Sequence, residues 1–324
     1  MNLPKHQIAG SSERAGWAQS RVLVLLAVGY QWFYNGANFV AFKIGGDAVH
    51  PLLLATMRFA IAALIILPFG LWRLYRRPAD LSELANAAGL GVTMLVGSQS
   101  VAIIGTHLLS AGVASVFGSA APIFLALFAW IALREPLGLR QVCGIALGFT
   151  GLLLMAWLTS GSGGSSPVGA ALTLAASGCW AAGSLWARRL RLPADPVVAL
   201  TTQLVAAATF LVMAAVASGI AGQAELTHLP ASAWWALAFL IIASTLVGYG
   251  VFLAVNTDVS PLIANTFNYA SPVVALLLSA ALLGEQLTLP KLFAAGLALS
   301  GVALMVRGSS TGRRDPRGES EHVR

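Results

Sequence analysis

The chain has 324 residues, 57% of them hydrophobic and 10% charged, with a formal net charge of +7 and a mean hydropathy of +0.79. A soluble globular domain carries about 25% charged residues, so this composition excludes that class and defines an integral membrane protein. The two cysteines exclude a disulfide framework.

In chain order, residues 1–20 are polar and small and read as a disordered tail. The apolar run after Arg21 has no small-residue cleavage site and is followed by further apolar runs, so it reads as a span and not as a removable signal. An apolar run of about 20 residues forms a helix about 30 Å long, enough to cross the hydrocarbon core. Ten such runs fall near 22–42, 51–71, 84–105, 108–133, 138–158, 168–188, 196–218, 232–254, 260–283 and 290–307. The expected organisation is a tail at 1–20, a first unit at 21–158, a Gly/Ser linker at 159–167, a second unit at 168–307 and a tail at 308–324.

Basic residues set the orientation. Lys5, Arg14, Arg21, then Arg73, Arg76, Arg77, then Arg134, Arg140, then Arg188, Arg189, Arg191, and finally Arg307 and the arginines after it fall on one side of the alternating spans. The other side holds Lys43 and Lys291. The positive-inside rule makes the basic side cytoplasmic, with both termini inside. This accounts for the positive charge without a nucleic-acid partner.

The stretch from Thr106 to Met155 recurs 150 residues later without gaps: Pro122 matches Pro272, Glu135 matches Glu285, Gly151 matches Gly301 and Met155 matches Met305. Two related halves follow. Five spans per half is an odd number, so the second half enters the membrane upside down relative to the first. The expected fold is all-α, with ten transmembrane helices as two inverted five-helix repeats.

These residues carry a family resemblance. Trp32 to Lys43, then Pro51 to Phe59, and the duplicated units Ala121-Pro122 with Arg134-Glu135 and Ser271-Pro272 with Gly284-Glu285 resemble EamA-type proteins of the drug/metabolite transporter superfamily. The match runs from about 22 to 307. It implies the inverted ten-helix fold and export of small metabolites through a central cavity, in a bacterial-type cytoplasmic membrane. An amino acid or similar small metabolite is the expected substrate, lipid the surrounding partner, and a monomer the functional unit.

Polar residues inside spans avoid lipid and face the bundle interior or a wet cavity. Gln31, Asn35 and Asn38 share one face of the first span, and Asn265, Asn268 and Pro272 one face of the ninth. The repeat places Ser115, Gly118 and Pro122 on the equivalent face of the fourth. Ser177, Trp180 and Ser184 form a stripe in the sixth; Gln99 and Tyr249 complete the candidate substrate-binding set, while Trp32 and Trp186 lie deep enough to line a cavity. For each polar residue the competing reading is an interhelical hydrogen bond. Pro122 and Pro272 leave the carbonyls of Gly118 and Asn268 without their helical N–H, which marks two candidate gating hinges with an acceptor open to a substrate ammonium, to water or to a neighbour. Arg58 lies inside the second span, where a cation costs roughly 2.5–3.5 kcal/mol. It binds a substrate carboxylate or gates, or else it snorkels to the surface.

No Asp or Glu falls near mid-span, which argues against an obligatory carboxylate proton relay. No phosphate loop, metal-ligand spacing or polar catalytic cluster is present, so neither cofactor nor metal nor enzyme activity is expected. The competing functional readings are a carrier of the same fold for nucleosides or cationic metabolites, and a membrane enzyme or non-transporting subunit.

Overall fold

A computed structural model describes residues 21–134, 137–159, 166–223, 229–258 and 266–310. The expected tail at 1–20, most of the linker and of the tail at 308–324, and Asn265 lie outside the described residues. Among them the chain forms ten long helical passes and no strand. They are α1 Arg21–Ala48, α2 Pro51–Arg76, α3 Leu81–His107, α4 (Ala111–Gly118 and Ala121–Leu133), α5 Leu139–Thr159, α6 Pro167–Ala187, α7 Pro196–Ala217, α8 Ala231–Asp258, α9 Phe267–Leu283 and α10 Leu289–Ser310. Seven of these, α2 to α8, are long and apolar enough to cross a membrane, and α9 and α10 contain shorter apolar stretches. α1 has the length, 28 residues, but carries Gln31, Asn35 and Asn38 within its apolar run.

Local sequence explains the ends. α2, α6 and α7 each start with proline in the first turn, where the missing N–H has no helical acceptor to lose. His50, Ser166 and Asp195 cap them through side chains that accept from Leu52, Val168 and Val197 N–H. At the other end, α4 and α9 stop on left-handed residues, Arg134 at φ 55° and Gly284 at φ 67°, which hold the same position in the repeat.

The main helix pairings repeat on exchange of the halves. α1 lies against α8 and α9, just as α6 lies against α3 and α4; α3 packs on α7 as α8 packs on α2; and α2–α7, α4–α9 and α5–α10 pair equivalent helices. These equivalent helices run antiparallel. Gly144 of α5 meets Gly301 and Met305 of α10, whereas Gly151 meets Ala294 and Ala298. Likewise Thr56 of α2 reaches the Leu211 carbonyl of α7, whereas Gly70 abuts Thr201. A two-fold that maps a helix onto an antiparallel equivalent is perpendicular to both, so the axis lies in the membrane plane and the repeat is inverted. Glycines at 144, 148, 151 and 301 let the α5 and α10 backbones touch, which is how helices associate where lipid removes the hydrophobic drive.

The duplication extends to irregular backbone. α3 widens into a π-helical stretch at Val92–Ser100 and α8 at Phe239–Val247. In each, a hydroxyl bonds the carbonyl five residues back, Ser100 to Leu95 at 3.1 Å and Thr245 to Leu240 at 2.7 Å. π-stretches are rare and concentrate at functional positions. Here they turn Ser98, Gln99, Ser244 and Thr245 toward the bundle centre.

Candidate functional site: a central cavity with a buried cation

A cavity of about 140 Å³ lies at the centre of the bundle, and among the described residues every helix except α5 and α10 contributes to its wall. Of the residues expected there from sequence, Asn35, Asn38, Arg58, Gln99, Ser115, Gly118, Trp180, Tyr249, Asn268 and Pro272 line it.

Arg58 dominates its electrostatics. The side chain is 3% exposed and does not snorkel. Its Nε donates to Thr245 Oγ1 at 3.0 Å, Nη2 to Ser244 Oγ at 3.0 Å and Nη1 to Gln99 Oε1 at 3.4 Å. The guanidinium stands 4.8 Å from the centre of the Phe59 ring and 5.5 Å from that of Phe42, contacts that favour a cation electrostatically. Every one of these partners is neutral, and among the described residues no carboxylate pairs with Arg58 or lines the cavity. A buried charge ordinarily has an opposite charge beside it. The cavity therefore presents a desolvated cation on two hydroxyls, an amide and two ring faces.

The other walls are polar but neutral, or aromatic. Asn35, Asn38, Asn268 and Ser271 gather where α1 meets α9. Trp180, Tyr249, Phe252 and Phe267 form a continuous aromatic wall, with Phe252 5.9 Å from Trp180 and 6.2 Å from both Tyr249 and Phe267, measured between ring centres. The Tyr249 hydroxyl donates to Gln203 Oε1 at 3.4 Å, which fixes that ring.

Several expected positions lie off the cavity wall. Gln31 is fully buried but is not part of the cavity wall. Its neighbours Tyr30 and Trp32 bond the Ala243 carbonyl of α8 and the Thr266 hydroxyl beside α9, so Gln31 is wedged between those two elements. Ser184 falls a turn beyond Trp180, outside the wall. Trp186 is exposed on the helix exterior, and Trp32 is also off the cavity. Pro122 is outside the wall as well. α4 is broken at Ser119 and Ala120, so Pro122 occupies the first turn of the second piece, whereas Pro272 sits inside an unbroken α9. The Gly118 carbonyl has a neighbour, one of the partners expected for it: the single Ser177 hydroxyl proton of α6 is shared among the Gly118 carbonyl at 3.1 Å, the Phe117 carbonyl at 3.2 Å and the Thr173 carbonyl of its own helix at 3.1 Å.

Sequence reasoning did not select Ser244, Thr245, Phe42, Phe59, Phe252 and Phe267. Hydroxyls and aromatics are ordinary inside apolar helices. The available signal was Arg58 itself, since an intramembrane cation must be surrounded by acceptors.

An inverted helical repeat enclosing a central cavity, with irregular backbone and an ionisable side chain at its wall, defines a polytopic membrane transporter. The sequence matches the EamA-like transporter family over residues 22–157 and again over 167–307, and the chain belongs to that family. It is 32% identical over 275 residues to the uncharacterized inner membrane transporter YedA of Escherichia coli strain K12, covering 84% of this chain and 87% of that protein. It is 28% identical to a probable amino-acid metabolite efflux pump of Salmonella typhimurium (84% of this chain, 91% of that protein) and 27% identical to one of Escherichia coli K12 (89% and 94%). A solved crystal structure shares the fold, with a TM-score of 0.57 and 19% identity over 91% of this chain and 100% of that one.

Proposed function

We propose that this transporter is a secondary exporter of small zwitterionic metabolites, amino acids including aromatic ones, working by alternating access through the central cavity. In this reading the protein sits in the cytoplasmic membrane with both termini inside, as the basic residues argue, and acts as a monomer without cofactor. The observation that carries it is Arg58, a buried cation facing a cavity with no carboxylate on its described walls. A substrate carboxylate there makes a charge-assisted pair in low dielectric. The same charge disfavours cationic cargo. The neutral oxygens of Asn35, Asn38, Asn268 and Ser271 offer acceptors to an ammonium, and the wall around Phe252 accepts an apolar or aromatic side chain. The names of the Salmonella and Escherichia relatives point to the same substrate class.

Purified protein in proteoliposomes, given labelled amino acids, nucleosides and cationic drugs in parallel, tests the proposal. Saturable counterflow of amino acids, strongest for aromatic ones, is expected. Counterflow of cationic drugs or nucleosides with no amino-acid signal would refute it.

A further inference from the structure

The duplicated glutamate of the repeat is unused by the cavity, yet the structure gives it a specific contact. Glu285, in the turn between α9 and α10, reaches across to the other half. Its Oε1 accepts from the Ala111 N–H at 2.6 Å and its Oε2 from the Gly112 N–H at 3.1 Å. These are the first two residues of α4, whose next helix-start donor, the Val113 N–H, goes to Ser110 Oγ at 3.4 Å. Two charge-assisted bonds to a helix start, where the backbone dipole is positive, tie the second half to the first.

The position of this tie is informative. Ser115 is the first residue of α4 on the cavity wall and Ser271 and Pro272 lie on the wall of α9. Ala111 is one turn outward of Ser115, about 6 Å at 1.5 Å per residue. The seam above the cavity closes because residue 112 has no side chain: a Cβ there would stand 2.8 Å from Leu276 Cδ2, 3.0 Å from Ser279 Oγ and 3.3 Å from Glu285 Oε2. Gly284 at φ 67°, with the Glu285 N–H bonded back to the Ser279 carbonyl at 3.3 Å, turns the chain so that the carboxylate points over that seam. On this side Lys43 and His107 both bond Asp47, at 3.1 and 2.9 Å, which joins α1 to α3 within the first half. The Glu285 contact differs in joining α4 to the opposite half.

We infer that Glu285 is the latch of the extracytoplasmic gate, holding α4 against α9 while the cavity is closed on that side and releasing it when the cavity opens there.

The test reads the gate without any substrate, so it is independent of cargo. In a chain with Cys143 and Cys179 replaced by alanine, Ala102→Cys places a thiol on the cavity wall. Its reaction with a membrane-impermeant maleimide is followed in intact cells and in inverted vesicles. Glu285→Gln leaves one neutral acceptor oxygen where the carboxylate offers two charged ones, so one bond is lost and the other weakened; it should raise the labelling rate in intact cells roughly ten-fold, with no gain in inverted vesicles. Ala111→Pro removes one donor at a position where proline suits a helix start. It should give a gain of similar size that does not add to that of Glu285→Gln. Detergent-extracted thermal stability shows that each variant is folded. Unchanged labelling in folded Glu285→Gln, a gain only in inverted vesicles, or fully additive effects would overturn the inference.

Discussion

Arg58 concentrates the chemistry of this chain at a single residue. Its hydrogen bonds and ring contacts keep a cation in a desolvated place without neutralising it, a cost that under the proposed function a substrate carboxylate offsets. Arg58→Gln should therefore lower substrate affinity about 100-fold, the size of a lost charge-assisted bond in low dielectric. Its melting temperature should match or exceed that of wild type, because the released Thr245 hydroxyl keeps its bond to Leu240. Equilibrium binding and thermal unfolding check the two effects separately; unchanged affinity would remove Arg58 from the binding site. Asn268, buried on the α9 wall of the cavity, has a different expectation. Asn268→Ala should abolish transport with stability near wild type, since an intramembrane hydrogen bond contributes about 0.6 kcal/mol on average. Loss of folding together with transport would assign Asn268 to helix packing.

At the scale of elements, the seam between α1 and α9 joins close packing to poorly satisfied polar groups. Gly36 lets α1 approach Val274 and the Ser271 carbonyl of α9. Both polar atoms of Gln31, with Asn38 Oδ1 and Ser271 Oγ, are buried there without a hydrogen-bond partner. A buried unsatisfied polar group costs about 1–3 kcal/mol. Replacement by an apolar side chain of similar size should recover part of that, so Gln31→Leu is expected to raise the melting temperature and to leave substrate affinity unchanged. A lower melting temperature together with weaker binding would return Gln31 to the substrate site that the sequence pattern assigned to it. The equivalent proline-bearing helices α4 and α9 also differ. α4 is broken at Ser119, where its Phe117 and Gly118 carbonyls share the Ser177 hydroxyl, whereas α9 passes through Pro272 intact. Equivalent prolines thus mark unequal elements.

For the whole molecule, the proposed alternating access uses the inverted repeat as two arrangements of one architecture, each open to one face. The described cavity wall carries no carboxylate that could relay protons. Counterflow in proteoliposomes should proceed without ATP and change little when a pH gradient is imposed or removed. Collapse of counterflow on abolishing that gradient would refute this expectation and move attention to carboxylates at the helix ends, Glu285 first among them.

Composition, hydrophobic period and self-similarity determined the membrane class, the ten helices and their inverted pairing from the sequence alone. These follow from local rules: a 20-residue apolar run has one stable conformation in lipid, and an odd number of crossings reverses the next half. The polar stripe of α1 was legible as well, since side chains at Asn35 and Asn38 cannot face lipid. Which stripe residues reach the cavity was decided by tertiary packing, because a helix face spans about 100° and its neighbours choose the part left open. Gln31 is sealed between α8 and α9 for that reason, while Ser244 and Thr245, unremarkable in sequence, are turned onto Arg58 by the widened stretch of α8. The reach of Glu285 to α4 was equally invisible in sequence, since it joins groups 174 positions apart that only the closure of the two halves brings into contact.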